Sequence, residues 1–147
     1  MDIGSKVPDR IHTTRKVKEL TTLIDDNKYF DLDSVHISRS ELFLFAMALG
    51  ADTIPTKLDS INPGGLVLDK SIDSKTKAAM YAIFIDKVGE ENLDIITEKA
   101  KVYSLAQEYA NSGFEILEDY MKNRKSEDLI WHLLDELDGQ FSKLVKW

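Results

Sequence analysis

Histidine and cysteine are the residue types that most often provide metal ligands or nucleophiles. The chain has three histidines, His12, His36 and His132, and no two of them have the spacing of metal ligands. It has no cysteine, which excludes a thiolate nucleophile and a zinc–thiolate site. The sequence therefore predicts no zinc centre and no thiol chemistry.

Two other patterns have residue types that could do chemistry. The Asn-Ser-Gly tripeptide at 111–113 contains a serine before a glycine, but it lacks the leading glycine of a nucleophile elbow. Glu115 and Asp119 are four residues apart, and together with Glu118 they could hold a divalent cation. Glu118 can also pair with Lys122 at helical spacing, which favours an ordinary solvated face. We expect no catalytic residues, no metal and no other cofactor.

Basic residues near the start of the chain could bind an anion. Cations in the first turn of a helix oppose the helix dipole, so either solvent screens them or an anion lies there. The start of the second predicted helix has a histidine and an arginine nearby, which could contact an anion in the same way. The candidate contacts for nucleic acid or another anion are Arg10, Arg15, Lys16, Lys18, His36 and Arg39.

The charge of the whole chain opposes general binding to nucleic acid. With 26 acidic and 19 basic residues, the net charge is −7, so the field repels phosphate backbones and anionic membranes. No signal-peptide pattern and no window long enough to span a bilayer are present, so we expect a cytoplasmic protein without membrane contact. The length of 147 residues predicts one domain.

The segment from Ser38 to Gly50 is the element around which the chain is organised. Ser38 and Glu41 have the spacing of a capping box, which marks the start of a helix. Every residue from 42 to 49 is apolar, and Gly50 stands where a left-handed C-cap is expected. Because this helix has no polar face, we expect neighbouring elements to bury all of it.

Apolar residues at spacings of three and four predict four further helices. Their approximate ranges are 13–26, 71–89, 93–123 and from 126 onward. The turn signal at 62–65 predicts a small β-hairpin or an ordered loop between the second and third helices. The predicted fold class is mainly α, a single compact bundle of about five helices over 13–147, preceded by a flexible lead-in over 1–12.

Gly113 lies in the interior of the longest predicted helix. A glycine there costs about 1 kcal/mol relative to alanine. We therefore expect either close packing of another helix at this position or a kink near it.

Three stretches of the chain resemble one protein family. They are Glu-Leu-Phe-Leu-Phe-Ala-Met-Ala-Leu-Gly at 41–50, Glu-Tyr-Ala-Asn-Ser-Gly-Phe-Glu-Ile-Leu at 108–117, and the acidic and aliphatic end at 128–137. Over roughly residues 38–140 the chain resembles the small accessory proteins called DNA phosphorothioation-associated protein 4. The resemblance implies a bacterial or archaeal origin and an association with DNA sulfur modification, with the linked restriction of foreign DNA, and thus with antiviral defence. It implies no catalytic residues.

The sequence leaves more than one function open. The first is a non-catalytic accessory protein that binds other proteins of a DNA modification and restriction system, with a homodimer also possible. The alternative is a DNA-binding regulator that uses the basic N-terminal helix and the Arg39 region, with an extended segment at 35–37 before the second helix. An enzyme or nucleotide binder at the start of the first helix is the least supported reading, because no set of catalytic residues accompanies it.

Overall fold

The computed structural model describes residues 8–27, 37–89 and 99–123. This part of the chain is mainly helical, as predicted, with four α-helices and a two-stranded antiparallel sheet. In chain order the elements are β1 (Arg10–Ile11), α1 (Arg15–Asn27), α2 (Arg39–Gly50), β2 (Val67–Leu68), a 3-10 turn (Asp69–Ser71), α3 (Ser74–Val88) and α4 (Lys99–Asn123). The helix predicted from residue 126 lies outside the described residues, as do His36 and His132.

Helix α1 begins just after Thr14, whose side chain caps it. The hydroxyl of Thr14 accepts a hydrogen bond from the backbone N–H of Val17 at 3.2 Å, which satisfies one of the free amides at the helix start. Val17, Leu20 and Ile24 are all buried. Their spacing of three and four therefore does mark the core-facing side of this helix.

The capping box of α2 is present in both directions. The Ser38 hydroxyl accepts from the backbone N–H of Glu41 at 3.1 Å, and the Glu41 carboxylate accepts from the backbone N–H of Ser38 at 2.9 Å. The hydrogen bond from the Ser38 backbone is the main cause that lowers the pKa of the Glu41 carboxyl. The predicted start of the central helix is confirmed.

The expectation that α2 is buried on all sides is wrong. Leu42, Phe43, Ala46 and Met47 are fully buried, whereas Ala48 is exposed. The other members of the apolar run are half-buried, namely Leu44, Phe45 and Leu49. A continuous apolar run shows that a helix belongs to the core, but it does not show which sides other elements cover.

Gly50 is not a left-handed C-cap. It is the last residue of α2, and the cap residue Ala51 that follows has ordinary right-handed angles, with φ −60° and ψ −30°. The glycine is required by contact between helices, because a Cβ at Gly50 would lie 1.9 Å from the carbonyl oxygen of Tyr109 in α4. On the opposite side, a Cβ at Gly113 would lie 1.7 Å from the carbonyl oxygen of Ala46. The backbones of α2 and α4 therefore touch, which confirms the predicted close packing at Gly113.

The small sheet joins the start of the chain to the segment between α2 and α3. Arg10 is opposite Leu68 and Ile11 is opposite Val67, and the Ile11 side chain is buried at 1% exposure. Residues 10 and 11 of the predicted flexible lead-in are therefore an ordered part of the fold. The segment between the second and third helices is an ordered loop, one of its two predicted forms, and its strand β2 pairs with β1 near the start of the chain.

The turn predicted at 62–65 is confirmed. The backbone N–H of Gly65 donates to the carbonyl of Asn62 at 3.0 Å, and Gly65 has a φ of 67°, which glycine adopts without strain. The next N–H, of Leu66, donates to the carbonyl of Ile11 at 2.8 Å. The turn thus places the chain for pairing with β1.

Helices α3 and α4 complete the described core. The Asp73 carboxylate caps α3 by accepting from the N–H of Thr76 at 2.7 Å, and Gly89 ends the helix with a φ of 86°. Helix α4 buries a continuous side that contains Val102, Tyr103, Ala106, Tyr109, Ala110, Phe114 and Leu117. In the ranges that the structure describes, no helix is both long enough and apolar enough to cross a membrane.

Candidate functional site

Two polar residues of α4 hold the loop after α2 against the helix. The side-chain amide of Asn111 donates to the carbonyls of Thr56 and Lys57, at 3.2 and 3.4 Å. The Ser112 hydroxyl donates to the carbonyl of Ile54 at 2.7 Å and lies 2.8 Å from the Thr56 hydroxyl. Asn111 and Ser112 are both buried, so these hydrogen bonds offset the cost of removing their polar groups from water.

Ile54 is held outward on this loop. Its side chain is 85% exposed, although its own carbonyl is bonded to Ser112. Two residues later, the backbone N–H of Thr56 donates to the carbonyl of Glu108 at 3.1 Å. The exposure of Ile54 therefore belongs to a backbone that is hydrogen-bonded at Ile54 itself and at Thr56, and not to a loop without contacts.

Beside Ile54 lies an open groove between the loop and α4. Its volume is about 490 Å³. We call it the loop–α4 groove. Both polar and apolar side chains line it, among them Ile54, Thr56, Glu115, Ile116, Asp119 and Tyr120.

The wall that α4 contributes combines acidic and apolar side chains. Glu115 and Asp119 are exposed, and Ile116 and Tyr120 are half-buried beside them. Within 8–27, 37–89 and 99–123, no three His, Asp or Glu side chains lie where they could hold a metal ion. The groove thus has apolar area and negative charge side by side.

Four of the predicted anion contacts lie beside carboxylates. Such exposed ion pairs contribute little to stability and are screened by salt, but they reduce the positive potential that an anion meets. The pairs, with the N–O distances, are Arg10–Asp9 at 3.0 Å, Arg15–Glu19 at 3.5 Å, Lys16–Glu118 at 3.1 Å and Arg39–Asp25 at 2.6 Å.

The structure does not bring these cations together into one patch. Arg39 pairs with Asp25 near the end of α1, whereas Arg15 lies at the start of the same helix. At 1.5 Å per residue these ends are about 15 Å apart. Lys18 is half-buried on α1. The two basic regions that the sequence suggested are therefore separate.

A charged cluster around Asp69 was not found from the sequence. The Asp69 carboxylate accepts a hydrogen bond from the Tyr103 hydroxyl, and the ammonium groups of Lys99 and Lys77 lie 3.1 and 3.6 Å from it. The hydrogen bond from Tyr103 is the main cause that lowers the pKa of the Asp69 carboxyl. Burial, and then this hydrogen bond, raises the pKa of Tyr103, so the tyrosine stays protonated and donates. The cluster ties the 3-10 turn to α3 and α4.

We expect Tyr103→Phe to lower the free energy of unfolding by about 1 to 2 kcal/mol at neutral pH, because the hydrogen bond to a carboxylate is lost. The lowered pKa of Asp69 stabilises the fold fully above the ordinary value of 3.8, and this stabilisation is lost as the pH falls through the lower pKa of the folded state. The difference between the variant and the wild type should therefore shrink below about pH 4.

Urea unfolding between pH 7 and pH 2.5 measures this difference. Asp52→Asn, which changes an exposed carboxylate just after α2, is the control and should give no comparable change. A difference that stays constant over the whole pH range would show that Tyr103 does not act through the ionised Asp69.

Comparison with protein-family models, with curated proteins and with solved structures gives no significant match. Membership of the phosphorothioation-associated family therefore stays a prediction from the three stretches. In the second stretch, at 108–117, three consecutive residues have a structural role. Asn111 and Ser112 hold the loop, and Gly113 lets α2 approach.

Proposed function

We propose that this protein is a non-catalytic accessory protein of a DNA phosphorothioation modification and restriction system, and that it acts in phage defence by binding another protein of that system in the cytoplasm. The resemblance of segments 41–50, 108–117 and 128–137 supports the assignment to this system. The observation that carries the contact role is Ile54, which is 85% exposed on a fixed backbone beside a groove.

A fixed, exposed aliphatic side chain suits protein recognition. Binding is opposed by the entropy lost when loops and side chains become ordered, and a loop that is already held loses less. A central apolar anchor with polar groups around it is the usual arrangement of the residues that dominate binding energy. Ile54 and the loop–α4 groove have this arrangement, with Thr56, Glu115 and Asp119 as the polar surround.

The charges favour protein contact over DNA contact. The chain carries a net charge of −7, and four of the five described candidate cations are paired with carboxylates. In a DNA-binding regulator these cations would have to leave their carboxylates and bind DNA phosphates, although the net negative charge of the chain repels DNA. The alternative function is therefore less well supported than the accessory role.

The test is made in the native host. We expect deletion of the gene to reduce protection against phage by about tenfold or more, and the tagged protein to co-purify with proteins of the phosphorothioation system. Ile54→Glu should abolish both, because a charge replaces the apolar anchor. Ile61→Glu, at a residue that is 60% exposed in the same loop but outside the groove, is the matched control and should retain both.

Two measurements test whether the protein acts in DNA modification or in restriction. Mass spectrometry of digested DNA measures the content of phosphorothioate linkages, and plating efficiency measures restriction. If deletion changes neither quantity and the protein co-purifies with no component of the system, the proposed function is wrong. A strong, salt-dependent gel shift with DNA that is lost in Arg15→Ala/Lys16→Ala would instead favour the regulator.

A further inference from the structure

The loop–α4 groove follows α4 for about two turns. Ser112, Ile116 and Tyr120 succeed one another at intervals of four residues, and Glu115 and Asp119 form a parallel row one position before the last two. At 1.5 Å per residue this stripe is about 12 Å long. A short segment of polypeptide has the length to occupy it.

The two walls of the groove differ in chemistry. The loop wall ends in the exposed side chain of Ile54, while the α4 wall presents Glu115 and Asp119 beside the half-buried Ile116 and Tyr120. The described side chains that line the groove include two carboxylates and no cation. An occupant with apolar area toward Ile54 and positive charge toward Glu115 would complement both walls.

We propose that the loop–α4 groove binds a short basic segment of a partner protein, with an aliphatic or aromatic side chain packed on Ile54 and a lysine or arginine facing Glu115. The inference rests on the proposed function, since it names the chemistry of the partner that the accessory protein binds. Packing on an apolar stripe of a helix with flanking charges is a common mode of peptide recognition.

Charge argues against the other occupants. A second copy docked groove to groove around a two-fold axis would bring the Glu115 and Asp119 pairs of the two subunits together, and each copy already carries a net charge of −7. Nucleic acid would place phosphates against the same two carboxylates. A basic protein segment is the occupant whose charge complements this surface.

The experiment uses the full-length protein in the native host with p-benzoylphenylalanine, a photo-cross-linking amino acid, incorporated either at Ile54 or at Ile61. We expect irradiation to give a protein adduct from position 54 and none from position 61, and mass spectrometry of the adduct to identify a segment that has at least two Lys or Arg near an apolar residue. That segment, made as a synthetic peptide, should bind the purified protein in calorimetry. Glu115→Gln/Asp119→Asn should weaken its binding about tenfold in low salt, and raised salt should reduce this difference.

Each outcome decides the proposal. A neutral or acidic segment at position 54, a second copy of this chain, or a nucleic-acid adduct overturns it. Equal adducts from positions 54 and 61, or no adduct from position 54, also overturn it. If the protein still co-purifies with the phosphorothioation proteins in that case, the proposed function is not contradicted. Unchanged peptide binding in Glu115→Gln/Asp119→Asn shows that charge is not what the groove recognises. Thermal unfolding of the Glu115→Gln/Asp119→Asn protein checks that these two substitutions of exposed residues leave the fold intact.

Discussion

Gly113→Ala is expected to lower the free energy of unfolding by about 3 kcal/mol. The added Cβ would lie 1.7 Å from the carbonyl oxygen of Ala46, which is backbone and cannot rotate away, so α2 and α4 must separate. In an isolated helix the same substitution would be favourable by about 1 kcal/mol. The sign of the change therefore reports the contact between the helices. Urea unfolding followed by circular dichroism measures it as a shift of the midpoint with an unchanged slope.

Gly64→Ala is the matched control for this substitution. A Cβ at Gly64 would meet only the side-chain nitrogen of Asn62, at an ordinary distance of 3.7 Å. We expect a change of no more than about 0.5 kcal/mol. A Gly113→Ala protein as stable as the wild type would mean that the backbones of α2 and α4 do not touch.

The double variant Asn111→Ala/Ser112→Ala is expected to release the loop from α4 and to lower the free energy of unfolding by about 2 to 3 kcal/mol. It removes the hydrogen bonds from the Asn111 side-chain amide to the carbonyls of Thr56 and Lys57. It also removes the hydrogen bond from the Ser112 hydroxyl to the carbonyl of Ile54. Trypsin cleavage after Lys57 measures the release. A loss of about 2 kcal/mol in local stability corresponds to cleavage about thirtyfold faster, when cleavage is slower than reclosing.

Ser104→Ala changes an exposed serine on the same helix and should leave both the stability and the cleavage rate near the wild-type values. If the double variant resists trypsin as well as the wild type does, the loop is held by contacts other than these hydrogen bonds. Since the same loop carries Ile54, the variant should also lose the partner in the co-purification experiment.

The elements that could be predicted from the sequence are those with local causes. The capping box of Ser38 and Glu41 is a short-range pattern of hydrogen bonds, and the spacing of Val17, Leu20 and Ile24 follows from the helical repeat. The predictions that were wrong concern position in three dimensions. Gly50 has the local signature of a helix end, but a contact with α4 explains it instead.

The candidate site could be predicted only in part. The sequence singled out the segment 108–117 and the acids Glu115 and Asp119, but it gave no sign that Asn111 and Ser112 bind a loop about 55 residues earlier in the chain. The role of a buried asparagine and serine in a helix can be recognised only when the positions of the carbonyls that they bind are known. Asp69, likewise, meets Lys77, Lys99 and Tyr103 through folding and not through any spacing in the sequence.

The close packing of α2 on α4 at Gly50 and Gly113 also bears on how the chain is synthesised on the ribosome. About 60 residues separate the two glycines, so at about 5 to 20 residues per second the apolar helix is made about 3 to 12 seconds before its main neighbour. During that interval Leu42, Phe43 and Met47 have no packing partner from α4. Nascent chains that pause before residue 113 are therefore those most in need of a chaperone, and codon changes that slow synthesis between the two glycines should increase aggregation.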